Sequence, residues 1–461
     1  MSQDPIDKPV PTVLIIGAGI AGLTLAVLLE QADIPYHIFE RASVVKPLGS
    51  AMCFGGNLFH VMEQLGIYQE LLEVSKPNIH IKFYNANCKK IGNYDVSENV
   101  KIVGYDNLAF SRPDFYEILR KRVPVHKISF QKKVLRSEEK EGKVHIHCSD
   151  NTTYIGDILV GADGAYSGVR QSMYKDLNAK GILPKGDLEG FTIGYTTVVG
   201  VAKPPNPENY PALKEKYANF SQVLYKNSNS CYIVTLPNNQ ISWGFAVQRP
   251  KEELREMHFR SSDWGSEIND TSLENFRDLP CPLGGTMGDI FDATPKDLIS
   301  KVFLEEKVFK TWHHSRTVLI GDACHKYHPS GGQGGAMAIH DVVALANCIY
   351  NMPDTSSKSI KLAFDDYYKQ RFHYAIGAYR ISTFMTKVMN GQRLAERLLR
   401  KVFINYIPER LLRIGAIKGL AYRPQAVWLP LTENRGYGPI LPQENKRNDG
   451  IDIAPVKAVV A

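Results

Sequence analysis

A short β-branched run, Val13 to Ile16, ends on Gly17, and Gly19 and Gly22 follow before an apolar helical pattern through Ile20, Leu23, Leu25, Val27 and Leu28. Strand, tight glycine turn and helix in that order leave the chain little freedom. The first glycine permits the turn, the second lets a pyrophosphate approach the backbone, and the third lets helix and strand pack closely. The helix start also offers phosphate its unpaired N–H groups and the positive end of its dipole. Pro35 and then Tyr36 to Glu40 read as a second strand, which completes a βαβ unit of about 30 residues and makes the sheet parallel. Glu40 stands 23 positions after Gly17, where a carboxylate can accept both hydrogen bonds of an adenosine ribose. The plain alternative is a glycine-rich turn beside a solvated glutamate.

The 461-residue chain as a whole sets broad limits. Its length predicts two or three domains with real cores, and 44% hydrophobic with 22% charged residues is ordinary globular usage. Seven cysteines without a CxxC spacing argue against a disulfide framework or a zinc ribbon and fit a reducing compartment. Met1 to Pro11 lacks the pattern of a secretory signal, and Pro455 to Ala461 is not a lipidation or retention address, so a cytoplasmic protein is expected. The net charge of +7 is concentrated: between Gly391 and Pro424, eight basic and two acidic residues give a local +6. With the remainder almost neutral, a nucleic-acid-binding surface is not expected.

Further along, Ser111, Arg112 and Pro113 precede a periodic run through Phe115, Ile118 and Leu119, the pattern of a helix with proline in its first turn. Lys143 to Cys148 and Thr153 to Val160 read as two antiparallel strands. From Phe191 to Val247 the chain alternates like strands, as in Thr196 to Val201, Cys231 to Leu236 and Ile241 to Val247. A parallel-type strand, Thr317 to Ile320, then returns. The expected fold is therefore α/β: a Rossmann-like nucleotide-binding domain, residues 10–185 and 301–380, interrupted by a β-rich domain at 186–300 and followed by a helical C-terminal region and tail at 381–461. In that last region Leu394, Ala395, Leu398, Leu399, Val402, Phe403 and Tyr406 form a helical stripe, with Arg393, Arg397, Arg400 and Lys401 along the other side. Such a basic amphipathic helix either packs its stripe on the nucleotide-binding domain, as most do, or meets a membrane surface.

Two more blocks carry chemistry. Asp157 to Arg170 delivers Asp163 and Gly164 to a turn after an apolar strand, although a strand-ending Asp-Gly turn is common by itself. Arg316 to Asn347 places Asp322 at the carboxyl end of a strand, Pro329 in a stiff loop, and Gly331 to Gly335 before a long helix, whose first N–H groups can hold negative charge developing on a ring. His325 and His328, with His313 and His314, bring a metal to mind; no carboxylate or thiolate pattern completes such a site, and no metal is expected. In their order, the three blocks resemble the single-component FAD-dependent monooxygenases, the aromatic-hydroxylase family, over about residues 10 to 380. Gly194-Tyr195, Trp243, Gly284-Gly285-Thr286, G-D-A-C-H-K and the Tyr422 to Arg435 stretch resemble the fungal branch that contains meroterpenoid and indole-diterpene epoxidases.

The resemblance implies noncovalent FAD, with Gly17, Gly19, Gly22, Glu40 and the adjacent Arg41 on its ADP half and Arg112 on the pyrophosphate side. It places Asp163 by a groove shared by NADPH and FAD, Asp322 on the ribityl chain, and Pro329, Gly334 and Gly335 beside the flavin ring. Two positions depart from the family pattern: Met337 stands where Asn is common, and His340 where an acid usually precedes Asp341. The implied cycle has transiently bound NAD(P)H reduce FAD, molecular oxygen add at flavin C4a, and the hydroperoxide deliver one oxygen atom, by hydroxylation or epoxidation, to a hydrophobic or aromatic secondary-metabolite-like substrate. No second G-x-G-x-x-G offers the reductant a domain of its own, and no side-chain triad is expected. The rivals are a reductase of a prenyl-type substrate and a flavin-free binding module of the same fold. A flavin halogenase would show W-x-W-x-I-P, and neither Trp243, Trp264 nor Trp312 sits in one. Tyr195, Trp243 and Phe245 are candidates for an apolar substrate pocket, with packing in the core of the β-rich domain as the alternative.

Overall fold

The computed structural model describes residues 10–45, 48–225, 229–248, 271–390 and 393–445; Trp264 and the two chain ends lie outside them. Val13–Ile16 is apolar throughout and buried along its length, as a central parallel strand must be. It occupies the middle of a six-stranded sheet ordered His313–His314, Thr317–Leu319, Ile158–Gly161, Val13–Ile16, Tyr36–Phe39 and Ile128–Ser129. All pairs but the first are parallel, and Val13 lies opposite both Ile158 and Tyr36. The carboxyl ends of three adjacent strands therefore lead into Gly17, Asp163 and Asp322 at one edge, where ligands of open parallel sheets bind.

The segment expected as a single strand, Thr153 to Val160, is two. Thr153–Gly156 pairs with Lys143–Cys148 in a three-stranded antiparallel sheet, whereas Ile158–Gly161 enters the parallel one. Asp157 makes the break. Its buried carboxylate accepts from the Thr12 N–H at 3.0 Å and from Lys143 Nζ at 2.5 Å, so the chain turns between sheets around a satisfied charge.

An eight-stranded sheet forms the second layer, ordered His325–Lys326, Ser300–Val308, Thr192–Ala202, Gln240–Gln248, Ser230–Leu236, Phe220–Leu224, His80–Asn85 and Lys90–Asp95. It is wider than the 186–300 span suggests, because both segments of the nucleotide-binding domain lend it strands. Its two faces differ. Ile233, Ile241, Trp243 and Phe245 pack against Met287, Ile290 and Phe291 of the short helix Met287–Asp292, whose start is closed by a capping box from Thr286 and Asp289. The opposite face turns toward the parallel-sheet layer: Ser242 Oγ accepts from the Ala51 N–H at 2.8 Å, and the Tyr232 hydroxyl meets Ser50 Oγ. Gly244 lies opposite Tyr232, and a Cβ there would stand 2.4 Å from the tyrosine ring, so only glycine lets the ring lie across the strand.

The helix Ser357–Asn390 joins the layers. At 34 residues it is about 50 Å long, with Phe364, Tyr367 and Ala375 in the core around the parallel sheet and Met389 in a small cluster with Phe83 and Leu224. Helices Leu394–Asn405 and Glu409–Leu420 follow. The chain then returns as an extended strap over the nucleotide-binding layer: Arg423 Nη2 donates to Ile102 O at 3.1 Å, the Ala426 N–H to Gln64 Oε1 at 2.8 Å, and the Val427 N–H to Asn347 Oδ1 at 3.1 Å.

Candidate active site

The turn after the first strand is built by main-chain crowding. Gly17 has φ +105°, and a Cβ there would stand 2.6 Å from Ala162 O; one on Gly22 would stand 2.0 Å from Gly17 O. Gly19 faces open space and begins helix Ile20–Gln31 with no side-chain cap and no acid in the first turn. An uncapped helix start in front of an open glycine is a seat for an anion. Glu40 is oriented beside it, since Oε2 accepts from the Ala18 N–H and Oε1 from the Ala42 N–H, both at 2.9 Å. The carboxylate keeps lone pairs for hydroxyl donors. Arg41 follows on the exposed side.

A second uncapped helix start faces the same edge. Gly334–Tyr350 has Gln333 at its N-cap, but that side chain donates instead to Gly331 O at 2.9 Å, and the first turn holds no acid. Gly334 is open, whereas a Cβ on Gly335 would meet Met52 Cε at 2.6 Å and the Phe54 ring at 3.1 Å. The turn Gly321–Ala323 sits between the two helices: a Cβ on Gly321 would lie 3.2 Å from Ala338 and 3.6 Å from Ala21. Arg112 arrives here from its own helix, with Nη1 donating to Leu48 O at 2.8 Å. Burial pulls its guanidinium down, and the charge of Asp322 partly offsets this, which brings two candidates 210 positions apart into one environment.

Asp163 accepts from the Val169 N–H at 3.2 Å through Oδ2, while its buried Oδ1 has no hydrogen-bond partner. Burial raises this carboxyl above its ordinary value, with the Ser167 hydroxyl and nearby amides opposing the rise. A buried acceptor left open at this edge suits a donor brought by a ligand. Arg170 then ties this block to the next one, donating to Ala165 O at 2.6 Å and to Ala323 O at 2.7 Å.

Behind the second helix start lies a buried network that the sequence did not disclose. Asp341 accepts from the Gly321 N–H at 3.1 Å, from His325 Nε2 at 2.5 Å and from Arg371 Nε at 2.9 Å. Burial opposes its ionisation, but His325 and Arg371 outweigh that and hold the carboxyl below its ordinary value. Cys324, His325 and Asp341 lie close enough together to resemble a metal ligand set; with Arg371 on the carboxylate, the cluster is an ion-pair network. His313 instead faces Asp365 at 3.4 Å. The two departures from the family pattern pack around this network. Met337 O and Sδ lie near Arg371 Nη2, and His340 is buried edge-on to Tyr422, its pKa lowered to about 3 by burial.

Pro329 stiffens the loop between the network and the helix, and His328 precedes it. Buried to 4% exposure, His328 accepts from the Ser330 N–H at 3.2 Å through Nδ1, and burial lowers its pKa to about 4. The ring is therefore neutral with its proton on Nε2, and Nε2 has no partner. Tyr195 meets this ring edge to face at 5.4 Å. From the long helix, Ser382 comes so close that a Cβ on Gly331 would stand 2.5 Å from its Oγ.

Of the three residues proposed to line a substrate pocket, Tyr195 reaches this convergence and the other two do not. Trp243 and Phe245 are fully buried on the far face of the eight-stranded sheet, where the indole N–H donates to Thr294 Oγ1 at 2.9 Å and Phe245 stacks on Phe276 and Tyr225. Side chains alternate across a strand, and Val198, one strand away and three residues from Tyr195, shares the core with them. Their expected role is corrected to core packing. His328 was visible in the sequence only as a metal candidate, and Arg371 carried no signal at all.

Comparison with known proteins agrees with this architecture. A family profile described as an FAD binding domain matches residues 11–187 and 223–373. The FAD-dependent monooxygenase olcE of Penicillium canescens is 30% identical over 416 residues, covering 85% of this chain and 84% of that one. The FAD-dependent monooxygenase prhF of Penicillium brasilianum is 26% identical over 452 residues, covering 95% and 91%. Among solved structures, Klebsiella pneumoniae HpxO complexed with FAD and uric acid superposes with a TM-score of 0.71 at 19% identity, covering 89% of this chain and 96% of that one. At that identity the likeness speaks for the fold. The two open helix starts, the glycine positions that a Cβ would block and the orphaned Asp163 oxygen fit an extended dinucleotide laid along this edge.

Proposed function

The chain belongs to the FAD-binding domain family and is an FAD-dependent monooxygenase; from that premise we propose that it uses NAD(P)H and molecular oxygen to hydroxylate or epoxidise a hydrophobic small molecule of the secondary-metabolite type. The observation that carries this reading is the convergence of two uncapped helix starts, Gly19–Ile20 and Gln333–Gly335, on the turn at Gly321 and Asp322. Bound FAD supplies the redox chemistry: two electrons come from the nicotinamide, one oxygen atom goes to the substrate and the other leaves as water.

The chain's own residues bind, orient and exclude water. The N–H groups behind Gly19 would take the pyrophosphate, and Glu40, already fixed by Ala18 and Ala42, would take the adenosine ribose. Arg112 and Asp322 would hold the middle of the cofactor. The N–H groups of Gly334 and Gly335 lie at the positive end of a 17-residue helix and would stabilise negative charge on the ring edge. His328 presents a neutral N–H donor beside Tyr195, on the side of the loop that faces the eight-stranded sheet. Asp163, with its open oxygen, would border the reductant. Its loss should slow reduction by NADPH more than it loosens FAD, with Asp322→Ala showing the reverse.

Turnover of candidate hydrophobic metabolites under labelled oxygen tests the reading. The purified protein should be yellow with one FAD per chain, and the product should gain one labelled oxygen atom. A product that gains hydrogen and no oxygen would make the enzyme a reductase, and colourless folded protein that ignores added FAD would leave a binding module.

A further inference from the structure

The helix Leu394–Asn405 is seated on the molecule by only one margin of the stripe its sequence suggests. Phe403 lies against the rings of Tyr94 and Phe384 at 5.9 and 5.8 Å, Ile404 packs onto Gly92, and Arg400 Nη1 donates to Val388 O at 3.4 Å. The expected apolar stripe is thereby divided: Phe403 turns inward and Leu399 is half-buried, while Leu394, Leu398, Val402 and Tyr406 stand 83, 61, 45 and 65% exposed. At 100° per residue these four occupy one outward row. Helix Glu409–Leu420 adds the exposed apolar residues Leu411 and Ile414, at 58 and 40%.

On the same two helices Arg393, Arg397, Lys401, Arg410, Arg413 and Lys418 are exposed, against the single exposed acid Glu409. Glu396, the other acid of the two helices, is half-buried and accepts from the Arg393 N–H at 3.0 Å to close the helix start. An exposed leucine row accompanied by six cations is the composition of an interfacial helix, whose apolar side chains enter the lipid while long basic stems reach the headgroups. The charge also selects among occupants: a second copy docking by the same face would oppose six cations to six. No helix among the described residues is long and apolar enough to cross a membrane, so the contact would lie in the interface plane.

We propose that the exposed sides of the successive helices 394–405 and 409–420 are a docking surface for an anionic lipid bilayer. Its first helix packs on the edge strand Lys90–Asp95, and Leu420 of its second lies 3.5 Å from where a Cβ on Gly55 would stand, next to the strand Ala51–Phe54 beneath Gly335. Docking itself is independent of the catalytic reading; supply of an apolar substrate from the lipid rests on it.

Co-sedimentation of the full-length, FAD-loaded protein with phosphatidylserine-containing vesicles at low salt tests the proposal, with phosphatidylcholine vesicles as the neutral comparison. Binding should appear on the anionic vesicles and fall about tenfold or more on the neutral ones and for R397E/K401E, given the contribution of each cation near a charged surface. L398E/V402E should lose binding likewise. All four positions are exposed, so flavin content and thermal unfolding should match the parent. Absence of binding to anionic vesicles, or binding that neither double variant weakens, overturns the proposal. So does a dimer in sedimentation velocity that L398E/V402E dissociates, because the row would then be a self-interface.

Discussion

Helices Ile20–Gln31 and Gly334–Tyr350 both begin behind open glycines, with no side-chain cap and no acid in the first turn, yet they are fixed by different means. The first is set by backbone crowding, Gly22 against Gly17 within the turn and Gly17 against Ala162 at the end of the adjacent strand. The second is set at long range, by a carboxylate within its own third turn that grips the Gly321 turn on one side and Arg371 of another helix on the other. On the proposed reading the first would be a phosphate seat made of crowded backbone, which tolerates no side chain but needs no charge. The second would be a seat for a ring whose charge changes, braced by buried ions that hold position only while every member is present.

The largest effect should come from breaking the second arrangement. Arg371→Met would leave Asp341 buried with only His325 opposite, and removal of one member of a buried pair costs about 3–5 kcal/mol. Denaturant unfolding should show that deficit at neutral pH. Because the folded-state pKa of Asp341 is lowered, its ionised form contributes stability above the unfolded value of 3.8 and the contribution is lost as pH falls below it. The deficit of the variant should therefore narrow toward pH 3.8 and below, where Asp341 needs no counter-charge. A deficit that stays constant from pH 7 to pH 3 would mean that Arg371 acts by packing alone.

Gly22→Ala probes the first arrangement without touching any charge. A Cβ 2.0 Å from a carbonyl oxygen forces the backbone apart, and overpacking of this kind costs about 1–3 kcal/mol. The expected signature is loss of FAD with little pH dependence, in contrast to Arg371→Met. Glu40→Ala should come next, weakening FAD by about 1.5–3 kcal/mol, the range for hydrogen bonds to a charged group. Titration of the apoprotein with FAD measures it, and unchanged affinity would remove Glu40 from the ribose.

The same contrast explains what the sequence revealed. The glycine turn, Glu40 and the strand ends bearing Asp163 and Asp322 were legible because each has a local signature, glycines at fixed spacing or a carboxylate at the end of an apolar run. Arg371 was not, since nothing on its own helix distinguishes it from a solvated arginine until Asp341 is placed against it. Trp243, Phe245 and Tyr195 belong to strands with apolar residues on both faces, so alternation alone could not say which face each would take. The break at Asp157 depends on Thr12 and the first strand, and the recruitment of the pair His80–Asn85 and Lys90–Asp95 into the larger sheet on its pairing with Phe220–Leu224, both far apart in sequence.

His328 offers the smallest and most discriminating test, because it lies between the two kinds of construction: its Nδ1 is fixed by a backbone N–H two residues on, while its Nε2–H awaits a partner. His328→Phe keeps the ring against Tyr195 and deletes the donor. If that donor serves the substrate, KM should rise by an amount equivalent to about 0.5–1.5 kcal/mol, the net worth of a neutral hydrogen bond, while FAD affinity stays the same; His328→Gln, which retains an N–H, should recover part of the loss. The ring also has a stability signature independent of turnover. Its pKa falls from 6.5 to about 4 on folding, so the unfolded chain takes up a proton that the folded one refuses, and stability drops as pH falls through that window. The phenylalanine variant should lose less stability between pH 6.5 and 4 than the parent. Should it lose just as much while KM remains unchanged, the imidazole is neither buried neutral nor facing substrate, and the loop before Pro329 would be, like the Gly17 turn, a matter of backbone alone.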